Sequence, residues 1–140
     1  MDNLTIVSLG WQKTKLSEIH LHGETYFYAF TRADNLLYIG KSEYTTLKAE
    51  IKQNLSRLGI SNIGLTLWIG YVERDKTSIK RITSEIIDDV ESLLIYKLQT
   101  QFNEKKTKSY RGRVPLRVIN HDSHIFPKQL NITKKTPLTR

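Results

Sequence analysis

Two short β-prone runs stand on either side of Ala33-Asp34-Asn35, and no other stretch constrains the fold as strongly. The first, Thr25-Tyr-Phe-Tyr-Ala-Phe-Thr31, is rich in aromatic residues, and the second is Leu36-Leu-Tyr-Ile-Gly40. Asp and Asn supply the turn chemistry between them, so the pattern predicts a β-hairpin. From Tyr44 the period changes. Leu47, Ile51, Leu55 and Leu58 recur at helical steps with Lys48, Glu50, Lys52 and Gln53 between them. This predicts an amphipathic helix that stops at Gly59. Leu65 to Val72 reads as a third strand, with Gly70 as a mild objection. Ile86, Val90, Leu94 and Leu98, widened by Ile87 and Leu93, mark the longest helix, from Thr83 to about Leu98. Trp11, Leu16 and Ile19 suggest one or two helical turns before the hairpin. After Asn103 the chain reads as basic and irregular, with one β-like run from Leu116 to Asn120. The expected fold is α/β, a small three-stranded, mainly antiparallel sheet flanked by helices. A single domain over 1–140 has its core at about 25–103 and a basic C-terminal extension over 104–140.

The 140 residues suit one domain, and their formal net charge is +8. Residues 1–102 carry twelve basic and twelve acidic side chains, whereas residues 103–140 carry ten basic ones against Glu104 and Asp122. All of the excess therefore lies in the last quarter of the chain. A localised basic segment interrupted by Tyr110, Val114, Leu116 and Val118 points to a polyanion, here nucleic acid. The plainer alternative is a solvated tail. Cysteine is absent, which excludes disulfide scaffolds, thiolate nucleophiles and cysteine-ligated zinc. His121 and His124 supply only two ligands, too few for a closed zinc site. No apolar run is long enough to cross a bilayer, and the first residues lack the pattern of a secretory signal. The expectation is a cytoplasmic protein without a membrane partner.

Phe27-Tyr28 and, after nine intervening residues, Tyr38-Ile39-Gly40-Lys41-Ser42 resemble the paired motifs of the GIY-YIG endonuclease superfamily. The second motif is intact. In the first, Tyr26 stands where the family has Gly, and Phe27 where it has Ile. Glu91 and Asn103, twelve residues apart, resemble the family's acidic metal ligand on a helix and the Asn that follows it. The likeness covers about Tyr26 to Asn103. It implies a metal-dependent endonuclease that hydrolyses DNA phosphodiesters.

Hydrolysis needs a water to lose a proton, the charge on the phosphorane to be neutralised, and the leaving oxygen to be stabilised. The resemblance implies that Tyr28 activates the water, with Tyr26 as a back-up on the same strand face, and that Tyr38 orders the phosphate or Tyr28. It implies that Glu91 holds one Mg²⁺ or Mn²⁺, a hard ion that suits an oxygen ligand. Gly40 is expected to let backbone N–H groups approach a phosphate, and Asn103 to support the metal ligand from behind or to cap the helix end. Lys48 occupies the place of the family's Arg, without its planar fork. Lys52 shares a helix face with Lys48, whereas Arg57, about 180° round the helix, reads as a poor substitute. Strand-binding contacts are expected from Lys41 and Lys52, and in the extension from Lys105, Lys106, Lys108, Arg111 and Arg113. Tyr110 is expected to stack on a base. Asp88 and Asp89 read as surface charge. High sequence specificity in so small a chain calls for a homodimer or a partner protein. The alternative is a catalytically weak or inactive nuclease-like protein that binds nucleic acid.

Overall fold

The computed structural model describes residues 4–19, 24–43, 46–107, 109–110, 112, 115–132 and 138–139. Its elements run β1 (Thr5–Thr14), β2 (Thr25–Arg32), β3 (Asn35–Lys41), α1 (Leu47–Leu58), β4 (Leu65–Val72), α2 (Ser84–Leu98), β5 (Ser109–Tyr110), β6 (Leu116–His121), β7 (Gln129–Ile132) and β8 (Leu138–Thr139). Single 3-10 turns lie at Leu16–Glu18 and Arg74–Lys76.

The hairpin, both helices and the third strand form where the periodicities place them. Ala33 and Asp34 turn the hairpin at φ of 49° and 64°, the left-handed pair that a two-residue hairpin loop requires. Gly59, at φ 67°, ends α1 by donating its N–H to the Leu55 and Ser56 carbonyls. Thr83 caps α2 by accepting the Ile86 N–H at 3.2 Å.

The sheet has six strands rather than three, in the order β3-β2-β4-β1-β6-β7. Two expectations fall together here. Of the turns expected between Trp11 and Ile19 only Leu16–Glu18 forms, as a 3-10 turn, whereas Trp11 lies in β1, near the middle of the sheet, antiparallel to β4 and parallel to β6. The extension after Asn103 is not irregular, because β6 and β7 pair in the same sheet, so the core does not end near residue 103. The reason is separation along the chain. Val7 to Trp11 are all buried, and the pairings that make them strand β1 are with segments far along the chain. Its partner β6 lies more than a hundred residues away.

Gly70 belongs in β4 because Trp11, its antiparallel partner, lays its ring over it. A Cβ there would lie 2.8 Å from Trp11 Cζ3. The Trp11 ring also stacks on Phe126 at 4.0 Å, and its indole N–H donates to Asn120 Oδ1 at 2.9 Å.

Both edge strands, β3 and β7, touch α2, so the sheet curls around that helix. This explains why Asp89 to Tyr96 are buried almost all the way round α2. Helix α1 covers the opposite face through Leu47, Ile51 and Leu55, packed on Tyr28, Phe30, Leu67 and Ile69. No described helix is long and apolar enough to cross a membrane.

Candidate active site

A cleft of about 480 Å³ opens over the β3 edge of the sheet, bounded by α1 on one face and α2 on the other. Strand β3 contributes Tyr38 and Lys41, α1 Glu50 and Arg57, α2 Asp88 and Glu91, and the loop after α2 Asn103, Lys105 and Lys106. Six sequence-singled residues thus meet in one place: Tyr38, Lys41, Glu91, Asn103, Lys105 and Lys106.

The acidic wall is built by α2. Asp88 and Glu91 stand one turn apart and share one ammonium: Lys106 Nζ donates to Asp88 Oδ1 at 2.6 Å and to Glu91 Oε1 at 2.7 Å. Lys41 Nζ approaches the same Asp88 oxygen at 3.8 Å. Burial raises the Glu91 carboxyl above its usual range, and the bond and charge of Lys106 oppose that shift. Burial pulls Lys106 down, but its bonds to the two carboxylates prevail and leave its pKa raised.

The opposite wall is one face of α1. Glu50, Asn54 and Arg57 follow at steps of four and three, so they stack along the helix. Arg57 Nε donates to Asn54 Oδ1 at 3.1 Å, and Asn54 Nδ2 donates to the Tyr28 hydroxyl at 2.5 Å. The Tyr28 hydroxyl also faces Glu50 Oε1 at 3.4 Å and is hydrogen-bonded to Tyr38. Arg57 lies opposite Lys48 on the helix, which in the sequence makes it a poor substitute. That angular relation is right, but Lys48 and Lys52 are on the exposed face, away from the cleft. The legible signal was the Glu50–Asn54–Arg57 spacing, a polar stripe beside the buried one. Asp88, read as surface charge, is likewise part of the cleft.

Several expected roles change. Tyr28 is 0% exposed, and burial pushes its phenol far above its ordinary pKa, the reverse of what a general base needs. It supports Asn54 and Tyr38 from below. A register shift between Thr25 and Phe27 makes a bulge at Tyr26, which packs on the α2 side, so Tyr26 and Tyr28 do not share a face. Gly40 lies within β3 opposite Tyr28 rather than at a turn, and a Cβ there would collide with the Tyr28 ring. Asn103 does not close the helix end but bonds to Ile39 of β3. Tyr110 is fully buried, its ring 6.4 Å from that of Tyr96, so it offers no face to a base. Lys108, Arg111 and Arg113 lie outside the described residues. His121 and His124 turn to different partners, Glu73 at 3.6 Å and Asp34 at 3.0 Å.

Among the described residues, no group of three or more His, Asp or Glu side chains converges on a metal position. Two carboxylate groups do converge on one cationic group, the Lys106 ammonium. That donor set fits a hard divalent ion that keeps most of its ligands as water and phosphate. Tyr38 is also raised by burial, with Arg57 drawing it down.

No protein-family model matches the chain, and no curated protein or solved structure does.

Proposed function

We propose that the cleft binds a DNA phosphodiester and hydrolyses it. The observation that carries this reading is the meeting of Tyr38, Arg57 and Glu91, from three separate elements, in one cleft about 480 Å³ in volume. Arg57 provides the planar fork that grips a phosphate through two hydrogen bonds, which the Lys at position 48 lacks. Its guanidinium neutralises charge on the phosphorane, and Asn54 holds it in place. The Tyr38 hydroxyl, kept protonated by its burial, orients the attacking water by hydrogen bonding. Lys41 and Lys105 hold the strand at the cleft mouth. Asp88 and Glu91 would hold a Mg²⁺ or Mn²⁺ ion, which supplies charge to the leaving oxygen.

A second reading, nucleic-acid binding without cleavage, is favoured by one observation: Glu91 is already paired with Lys106. Incubating supercoiled plasmid and labelled single- and double-stranded oligonucleotides with Mg²⁺, Mn²⁺ or EDTA separates the two. Cleavage by wild type that is lost with EDTA, in Arg57→Ala and in Glu91→Ala is the expected result. Equal, salt-sensitive DNA binding by all three proteins with no cleavage selects the second reading.

A further inference from the structure

Lys106 is unusual in three respects. Its ammonium makes short bonds to two carboxylates on successive turns of α2, at 2.6 and 2.7 Å. The Glu91 partner is only 9% exposed. The Lys106 backbone is held at φ 70°, a left-handed conformation that a lysine keeps only when its surroundings impose it. A surface lysine needs none of this, and most exposed ion pairs are worth little. Lys106 instead reaches into the cleft and supplies the positive charge at the convergence of Asp88 and Glu91.

We propose that Lys106 is a tethered cation that competes with a divalent metal for Asp88 and Glu91. It thereby determines which cation the cleft holds. The inference rests on the reading of Glu91 as the cation ligand of a hydrolase. A buried carboxylate left without a positive partner is strongly disfavoured, and Lys106 removes that penalty while the cleft is empty of metal. A divalent ion has the higher charge but must displace an ammonium that is covalently part of the chain, and so already present at high effective concentration. Metal entry is therefore an exchange: Lys106 leaves the carboxylates, its backbone is freed from the left-handed conformation, and its ammonium becomes available to a phosphate oxygen. The metal affinity of the wild-type chain is lowered by this competition, and the ion is admitted most readily together with a polyanion that receives the released lysine.

Calorimetric titration of the full chain with Mn²⁺ tests this without reference to cleavage. Lys106→Met is expected to bind Mn²⁺ more tightly than wild type by about tenfold or more, the scale of one charge-assisted hydrogen bond. Adding Glu91→Gln is expected to abolish the gain. A second measurement uses wild type alone: titration with Mg²⁺, followed through the Lys106 side-chain NMR resonances, is expected to move them as the ammonium leaves the carboxylates. Equal Mn²⁺ affinity in wild type and Lys106→Met, a gain that survives Glu91→Gln, or an unmoved Lys106 resonance at high Mg²⁺ each overturns the proposal. Cleavage is scored separately, so failure of the hydrolase reading and failure of the exchange are told apart.

Discussion

The Asn103 carboxamide makes both hydrogen bonds to Ile39 that a neighbouring strand would make. Its Oδ1 accepts the Ile39 N–H at 3.0 Å, and its Nδ2 donates to the Ile39 carbonyl at 2.9 Å. The Phe102 N–H donates to the Leu37 carbonyl at 2.8 Å, so two consecutive loop residues cover the outer side of β3. β3 is an edge strand, and an edge left bare presents unpaired backbone groups. The same contacts moor the loop carrying Lys105 and Lys106 to the strand carrying Tyr38 and Lys41.

Asn103→Ala is therefore expected to destabilise the fold by about 1–2 kcal/mol, since two backbone groups lose their partner. It should also lower cleavage by loosening the Lys106 loop. Urea denaturation measures the first effect. A change below about 0.5 kcal/mol, ordinary for a surface site, would show that the mooring is not structural.

Arg57 and Lys48 lie on opposite faces of α1, and only Arg57 lines the cleft. Arg57→Ala is expected to reduce cleavage by about 10²–10³-fold, the range for removing one stabiliser of transition-state charge. Arg57→Lys should recover only part of it, because the bidentate grip is lost. Lys48→Ala and Lys48→Arg should leave the rate where it is. Single-turnover cleavage rates decide the matter, and a Lys48→Ala defect as large as that of Arg57→Ala would move the site to the other face of the helix.

The raised pKa of Tyr28 sets a pH dependence. A group that binds its proton more tightly when folded contributes stability that is complete below its unfolded pKa, here about 10, and lost as pH rises through the folded value. Above pH 10 the wild-type protein is expected to lose stability more steeply than Tyr28→Phe, while below it the two curves run parallel. Thermal melts across the alkaline range measure this difference. Identical alkaline slopes would mean that Tyr28 ionises as freely in the fold as in water.

Gly40 and Tyr28 form a directly opposed pair across the hairpin, with the ring lying over the glycine. Gly40→Ala is expected to destabilise by about 1–3 kcal/mol through overpacking. The penalty should shrink in a Tyr28→Leu background, which removes the ring atoms that a Cβ meets. A double-mutant cycle gives the coupling, and strictly additive effects would count against this contact as the reason for glycine in the second motif.

The elements whose signal is local were legible in the sequence. The hairpin and β4 are short aromatic or β-branched runs, α1 and α2 repeat a helical period, and turn or capping residues at 33–34, 59 and 83 bound them. The family resemblance carried by Tyr38, Glu91 and Asn103 also selected residues that line one cleft. What the tertiary structure decided is which distant segments pair and which face of each element looks into the site. β1 pairs in parallel with β6 across more than a hundred residues, a pairing that no local pattern announces. A helix sequence states that Lys48 and Arg57 face opposite ways, but only the packing of α1 beside β3 turns Arg57 to the cleft and leaves Lys48 in water. Lys106, one cation among many in a basic run, acquires its two carboxylates only when the loop after α2 folds back over that helix, because charge pairing depends on distance in space, not along the chain.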